Sequence, residues 1–162
     1  MSDDIISIDV EFNADEVIGK LDKLKKALKD KTLVETLGQS VAQYSRERIH
    51  SGANLAPDGS QWESLAASTI RAKQKKGKGN MGILMQEPAL FDRIRADPAT
   101  LTEDSISIGS SLVYAMIHQK GGMAGPGRKV RIPARPYIGL SAEEKKLLEK
   151  KIANWIKLIL ED

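Results

Sequence analysis

At 162 residues and 17.8 kDa the chain has the length of one domain, with 41% hydrophobic residues to build a core and aromatics at only 4%, so that core should be mostly aliphatic. It has no cysteine and only two histidines, His50 and His118, which excludes disulfides, thiolate metal sites, cysteine nucleophiles and a multi-histidine metal centre within one chain. The 25 basic and 22 acidic residues leave a net charge of +3, too close to balance to announce a nucleic-acid binder.

The chain opens on Met1-Ser2-Asp3-Asp4, which lacks the basic and apolar regions of a signal peptide. No apolar run approaches the roughly 18 residues that span a bilayer. The expectation is a protein made and kept in a cytoplasm, with no membrane partner. Residues 5–12 alternate apolar and polar and read as a half-buried strand with Ile6, Ile8, Val10 and Phe12 on one face. Asn13 with Glu16 then starts a helix that places Val17, Leu21, Leu24 and Leu28 on one side.

Thr32-Leu33-Val34-Glu35 has the pattern of a capping box and opens a second helix, ending near Gly52, with Val34, Leu37, Val41 and Tyr44 as its apolar stripe. Gly38 inside it costs about 1 kcal/mol relative to alanine and marks a close backbone approach. Residues 55–59 read as a turn. Ser60-Gln61-Trp62-Glu63 is a further capping-box pattern, expected to start a helix that runs to about Lys76. Glycine-rich stretches near 76–82 and 121–129 read as mobile loops. Between them, Leu90–Arg95 and Asp104–Ser110 are expected strands around the turn at 97–100, and Val113–Lys120 is a short helix stopped by Gly121 and Gly122. Val130–Ile132 is a strand ended by Pro133. Ser141-Ala142-Glu143-Glu144 caps a last helix of about 20 residues, roughly 30 Å long, with Leu148, Ile152, Trp155 and Ile159 on its apolar face. The order gives an α+β fold: helices packed on one face of a small mixed or antiparallel sheet, with a long C-terminal helix, in a single domain over 1–162.

Charge is uneven. Residues 1–30 carry eight acids and five lysines, whereas Arg71, Lys73, Lys75, Lys76 and Lys78, and then Lys120, Arg128, Lys129, Arg131 and Arg135, fall in stretches without an acid. Complementary patches of this kind steer association between proteins or between copies of one protein. The candidate interface residues are therefore Lys75, Lys76, Lys78, Arg128, Lys129, Arg131 and Arg135, joined by Tyr114 and His118, which share a helix face at four-residue spacing.

Catalytic and cofactor signatures are missing. Gly122 and Gly127 are followed by Arg128-Lys129 rather than by the lysine and hydroxyl of a Walker loop, and there is neither a Gly-x-Ser-x-Gly elbow nor a His-Glu-x-x-His motif. His118 lacks a local orienting partner, so a hydrolase is the weakest of the functional readings. No catalytic residue, metal ligand or cofactor is assigned.

From Tyr114 the chain reads Tyr-Ala-Met-Ile-His-Gln-Lys-Gly-Gly, then a glycine-rich loop, then Ile132-Pro133-Ala134-Arg135-Pro136-Tyr137-Ile138-Gly139-Leu140-Ser141 before the last helix. This pattern resembles the phage virion morphogenesis (tail completion) family of contractile-tailed phages and Mu-like prophages. Pro57-Asp58-Gly59 ahead of Trp62, Thr69, and Ile83-Leu84 ahead of Leu90 agree with it, whereas Glu87-Pro88-Ala89 stands where the family often has Thr-Gly. The resemblance covers residues 14–160. It implies a non-enzymatic assembly protein of the virion tail or neck, acting in tail completion and head–tail joining, made in the host cytoplasm. The implied partners are other copies in a ring and tail-tube or connector subunits. Alternative roles are tail termination, a head–tail connector component, or nonspecific nucleic-acid binding through the basic loops.

The Pro-Ala-Arg-Pro block has a physical logic of its own. Two prolines stiffen an extended segment, Ala134 permits close approach, and Arg135 offers a planar fork of donors. Such a segment is suited to clamp the last helix or to form a rigid assembly edge.

Overall fold

The computed structural model describes residues 14–85 and 90–161. The strand expected over 5–12 and the turn at 87–89 lie outside the described residues. Two helices come first, α1 (Ala14–Lys29) and α2 (Thr32–His50). α1 has Asp15 and Glu16 in its first turn and Lys26 and Lys29 in its last, the polarity that complements a helix dipole.

The capping box expected at Thr32 does not form. The link from α1 leaves Lys31 already in a right-handed helical conformation (φ −55°, ψ −2°), so Thr32 lies inside α2 and lacks the extended backbone of a cap. Its hydroxyl donates to Asp30 Oδ1 at 2.7 Å instead.

α2 is the spine of the fold. Its fully buried stripe is Gly38, Ala42, Ser45 and Ile49, and the bulkier Val34, Leu37, Val41 and Tyr44 lie half-buried beside it. The small stripe faces a hairpin of β1 (Ile94–Asp97) and β2 (Ser107–Ser110), paired antiparallel with Ile94 opposite Ser110. Approach is close: a Cβ on Gly38 would stand 2.5 Å from Ile106 Cγ2, which explains the glycine. Arg46 Nη1 donates to Ile94 O at 3.0 Å and ties the helix to the hairpin. β1 begins later than expected, because Leu90–Arg93 form a 3-10 turn that buries Leu90. The turn at 97–100 is as anticipated, with Ala99 N donating to Asp97 Oδ1 at 3.1 Å.

The helix expected from Ser60 begins at Ala67: α3 spans Ala67–Lys75. Ser60 is held in a turn in which both its amide and its hydroxyl donate to Asp58 Oδ1, at 2.9 and 2.6 Å. The chain then runs extended, bridging Leu55 to Gln61, with Trp62 N donating to Asn54 O at 2.7 Å.

α4 (Ala115–Lys120) ends at Gly121, which takes φ +73°. Part of the stretch expected as loop is strand: β3 (Gly122–Ala124) pairs antiparallel with β4 (Val130–Ile132) across a 3-10 turn at Pro126–Arg128. The fold is α+β, its strands divided between two hairpins. The final helix, α5 (Ala142–Glu161), is 20 residues long and packs on α1 and α2. Its capping box is formed in full: Glu144 N donates to Ser141 Oγ at 3.2 Å, and Ser141 N donates to Glu144 Oε2 at 2.7 Å. Leu148, Ile152, Trp155 and Ile159 are its half-buried side, as expected.

The core comprises Ala42, Ile49, Ala56, Trp62, Leu90, Ile94, Ala115 and Tyr137. Large apolar side chains remain on the outside of both terminal helices, including Ile18 (55% exposed), Leu21 (60%) and Leu158 (62%). No helix among the described residues is long and apolar enough to cross a membrane.

Candidate assembly site

The segment 132–141 sits where α2, α4, the extended stretch at Trp62 and α5 meet. Prolines 133 and 136 bring no amide donor, so donors for the segment's carbonyls must come from elsewhere. Trp62 Nε1 donates to Pro136 O at 2.9 Å, Arg48 Nη1 to Tyr137 O at 2.6 Å, and Gln119 Nε2 to Ile138 O at 3.0 Å. Gln119 Oε1 accepts from the amides of Tyr137 and Ile138, at 2.9 and 3.0 Å, and His118 O accepts from Arg135 N at 2.7 Å. Gly121 completes the fit, since a Cβ there would lie 2.8 Å from Ala134 N.

The side chains of the block anchor it as firmly. Arg135 is 4% exposed, and its Nε and Nη2 donate to Glu63 O at 3.0 Å and Ser64 O at 3.2 Å. Tyr137 is buried, its hydroxyl donates to Ala115 O at 3.1 Å, and burial pushes its pKa up to about 12. Arg48 also holds the start of α5: its Nη2 lies 2.7 Å from Glu144 Oε1, in a pair whose side chains are 8% and 18% exposed. One arginine thus joins α2 to both the segment and the helix cap.

Beside the block lies a cleft of about 450 Å³. Ile83, Leu84, Leu90, Val130 and Ile132 give it apolar walls, and Tyr114, His118, Lys73, Arg131, Arg135 and Glu63 give it polar ones. Tyr114 and His118 do share a face, in an edge-on contact with ring centroids 5.8 Å apart. His118 Nδ1 is buried without a hydrogen-bond partner, and burial followed by the charge of Arg135 lowers the pKa of the ring. Arg131 is exposed and pairs with Glu63 at 3.0 Å.

Four of the candidate residues, Tyr114, His118, Arg131 and Arg135, therefore meet at one cleft. Lys75, Lys76, Arg128 and Lys129 stand exposed on α3 and the β3–β4 turn, and Lys78 is half-buried. Lys73 was not singled out from its basic neighbours, yet it is only 6% exposed. Its ammonium donates to Met81 O at 2.6 Å and Gly82 O at 2.8 Å, binding the glycine-rich stretch back onto α3, and burial lowers its pKa. Nothing in the local sequence separates it from Lys75 or Lys76. Arg48, Trp62 and Gln119 were also missed as partners of the block. The signal for them was the pair of prolines, which obliges donors from elsewhere in the chain.

The chain matches the model of the phage virion morphogenesis family over residues 12–157. It is 42% identical over 53 residues to the Mu-like prophage FluMu G protein 2 of Haemophilus influenzae, a match that covers 33% of this chain and 38% of that protein. It is 30% identical over 122 residues to the putative capsid assembly protein G of Escherichia phage Mu, covering 74% of this chain and 75% of that one. No solved structure matches it significantly.

Proposed function

The chain belongs to the phage virion morphogenesis family, and we propose that it acts at the head-proximal end of the tail, completing the tail and making it competent to join the head. The observation that carries this reading is the family match across residues 12–157, which takes in the whole clamp at 132–141. The Mu relative's description as a putative capsid assembly protein agrees with a role in building the particle.

Its action is binding. The block presents a stiff segment with its backbone groups already engaged, the mark of a scaffold. Apolar side chains on the outside of α1 and α5 and exposed cations at Lys75, Lys76, Arg128 and Lys129 supply contact surface for ring neighbours and for tail-tube or connector subunits. Head-to-tail contacts between identical copies form a ring where the rotation between copies closes, and a ring is in keeping with tail symmetry.

Electron microscopy of lysates from a phage with an early stop codon in this reading frame tests the assignment. Full heads beside unattached tails of normal length are expected. Tails of abnormal length would move the protein to tail termination, and normal infectious particles would overturn the proposal.

A further inference from the structure

Among the described residues β4 is paired on one side only. Its ladder runs to β3, and its other edge carries no strand among the described residues. Edges of this kind are templates for another strand. The edge also borders the cleft, which Val130, Arg131 and Ile132 all line, and Val130 is 53% exposed. Along β4 the side chains therefore alternate apolar, basic, apolar, with Lys129 exposed just ahead.

The hairpin is basic: residues 120–135 carry Lys120, Arg128, Lys129, Arg131 and Arg135 and no acid. Arg131 has Glu63 as a partner in an exposed pair. The complement to a β4 edge that is apolar at Val130 and Ile132 on one face and basic at Lys129 and Arg131 on the other is an extended segment that alternates apolar and acidic residues. Such a segment exists in the chain itself: Ile6-Ser7-Ile8-Asp9-Val10-Glu11-Phe12, within a stretch, 1–13, that has four acids and no lysine or arginine.

We propose that residues 5–12 of a second copy of this chain add to the open edge of β4, with their apolar side chains toward the cleft. Ile8 and Val10 then run beside Val130 and Ile132, while Asp9 and Glu11 run beside Arg131 and Lys129. Cross-strand pairs of both kinds are favourable. A second copy, rather than the segment's own chain, is the partner that a ring of copies requires. The contact is heterologous, since an N-terminal segment meets a β4 edge, so repetition generates a ring or a filament. The inference deepens the ring reading and rests on it for closure of the ring.

The absence of native cysteine makes the test direct. The full chain carrying Val10→Cys is mixed with the full chain carrying Val130→Cys or, for the neighbouring register, Ile132→Cys, and oxidised. Disulfide-linked heterodimers are expected, and a chain carrying both changes should give an interchain ladder. Arg131→Glu should weaken self-association roughly five- to tenfold, with Asp9→Lys restoring part of the loss in the double variant. Arg131→Glu also removes the Glu63 pair, but that pair is exposed and contributes little. No cross-link in either mixture, or a cross-link found only within single chains, overturns the proposal. If sedimentation still shows closed oligomers in that case, the strand exchange fails and the ring reading stands. A chain that stays monomeric and uncross-linked at high concentration removes both.

Discussion

Gly38 shows how one residue decides the contact of a helix with a hairpin. Alanine is the better helix former by about 1 kcal/mol, yet a Cβ here meets Ile106 Cγ2 at 2.5 Å. Overpacking a tight interface costs roughly 1–3 kcal/mol, so Gly38→Ala should lower stability. Chemical denaturation should place it below the parent, whereas Gly19→Ala, at a position with nothing within 4 Å, should be neutral or stabilising. His118 makes the second case at this scale. Burial and Arg135 hold its pKa below the usual 6.5, so the folded protein keeps the ring neutral where the unfolded chain binds a proton. The His118 contribution is thus fully present above pH 6.5 and is lost as pH falls below that value toward the lowered pKa. Thermal unfolding of the parent should show a decline over this window that His118→Gln flattens. Equal slopes for the two proteins would contradict the assignment.

Four sequences in the chain have the pattern of a helix start; Asn13 lies outside the described residues, and one of the other three forms it. Ser141 caps α5, while Thr32 and Ser60 do not cap. The difference lies two residues upstream. Asp30 and Asp58 each accept the hydroxyl of the would-be cap, at 2.7 and 2.6 Å, whereas Gly139 offers Ser141 no side-chain acceptor. The pattern alone was readable; the competing carboxylate had to be weighed with it. The stripe of α2 was misjudged for a related reason. Ranking by hydrophobicity picks Val34, Leu37, Val41 and Tyr44, but the face that a hairpin approaches closely must be small, and Gly38, Ala42 and Ser45 meet that need. The end of α4, the turn at 97–100, strand β4 and the length of α5 were legible because glycine, proline and capping chemistry act locally, whereas α4 begins at Ala115 and not at the expected Val113. At the cleft, the grouping of Tyr114 and His118 followed from helical spacing. The burial of Lys73 depends on where residues 81 and 82 fold, which no local pattern records. The cap of α5 is also linked to Arg48. Glu144→Gln weakens both the box and the ion pair with a largely buried guanidinium, and should cost about 1–3 kcal/mol. A midpoint unchanged in denaturant would show that α5 is held by its apolar side alone.

At the scale of the molecule, the block at 132–141 is a hydrogen-bonded centre, and in the proposed function the helices and basic loops around it give contact surface. Arg135, one of the candidate interface residues, has its fork on two carbonyls, which fits the clamp role of the Pro-Ala-Arg-Pro segment. The exposed cations and outer apolar faces lie elsewhere, on α1, α3, α5 and the β3–β4 turn, so stability and binding are separable by mutation. The central claim is that the protein joins parts of a particle by binding, with no turnover. The most direct test adds purified protein to the lysate of the early-stop phage and counts joined particles and infectious titre against the amount added. The account predicts that joining rises with added protein and saturates at a fixed number of copies per particle. Full joining from far less than one copy per particle would show repeated turnover and contradict it.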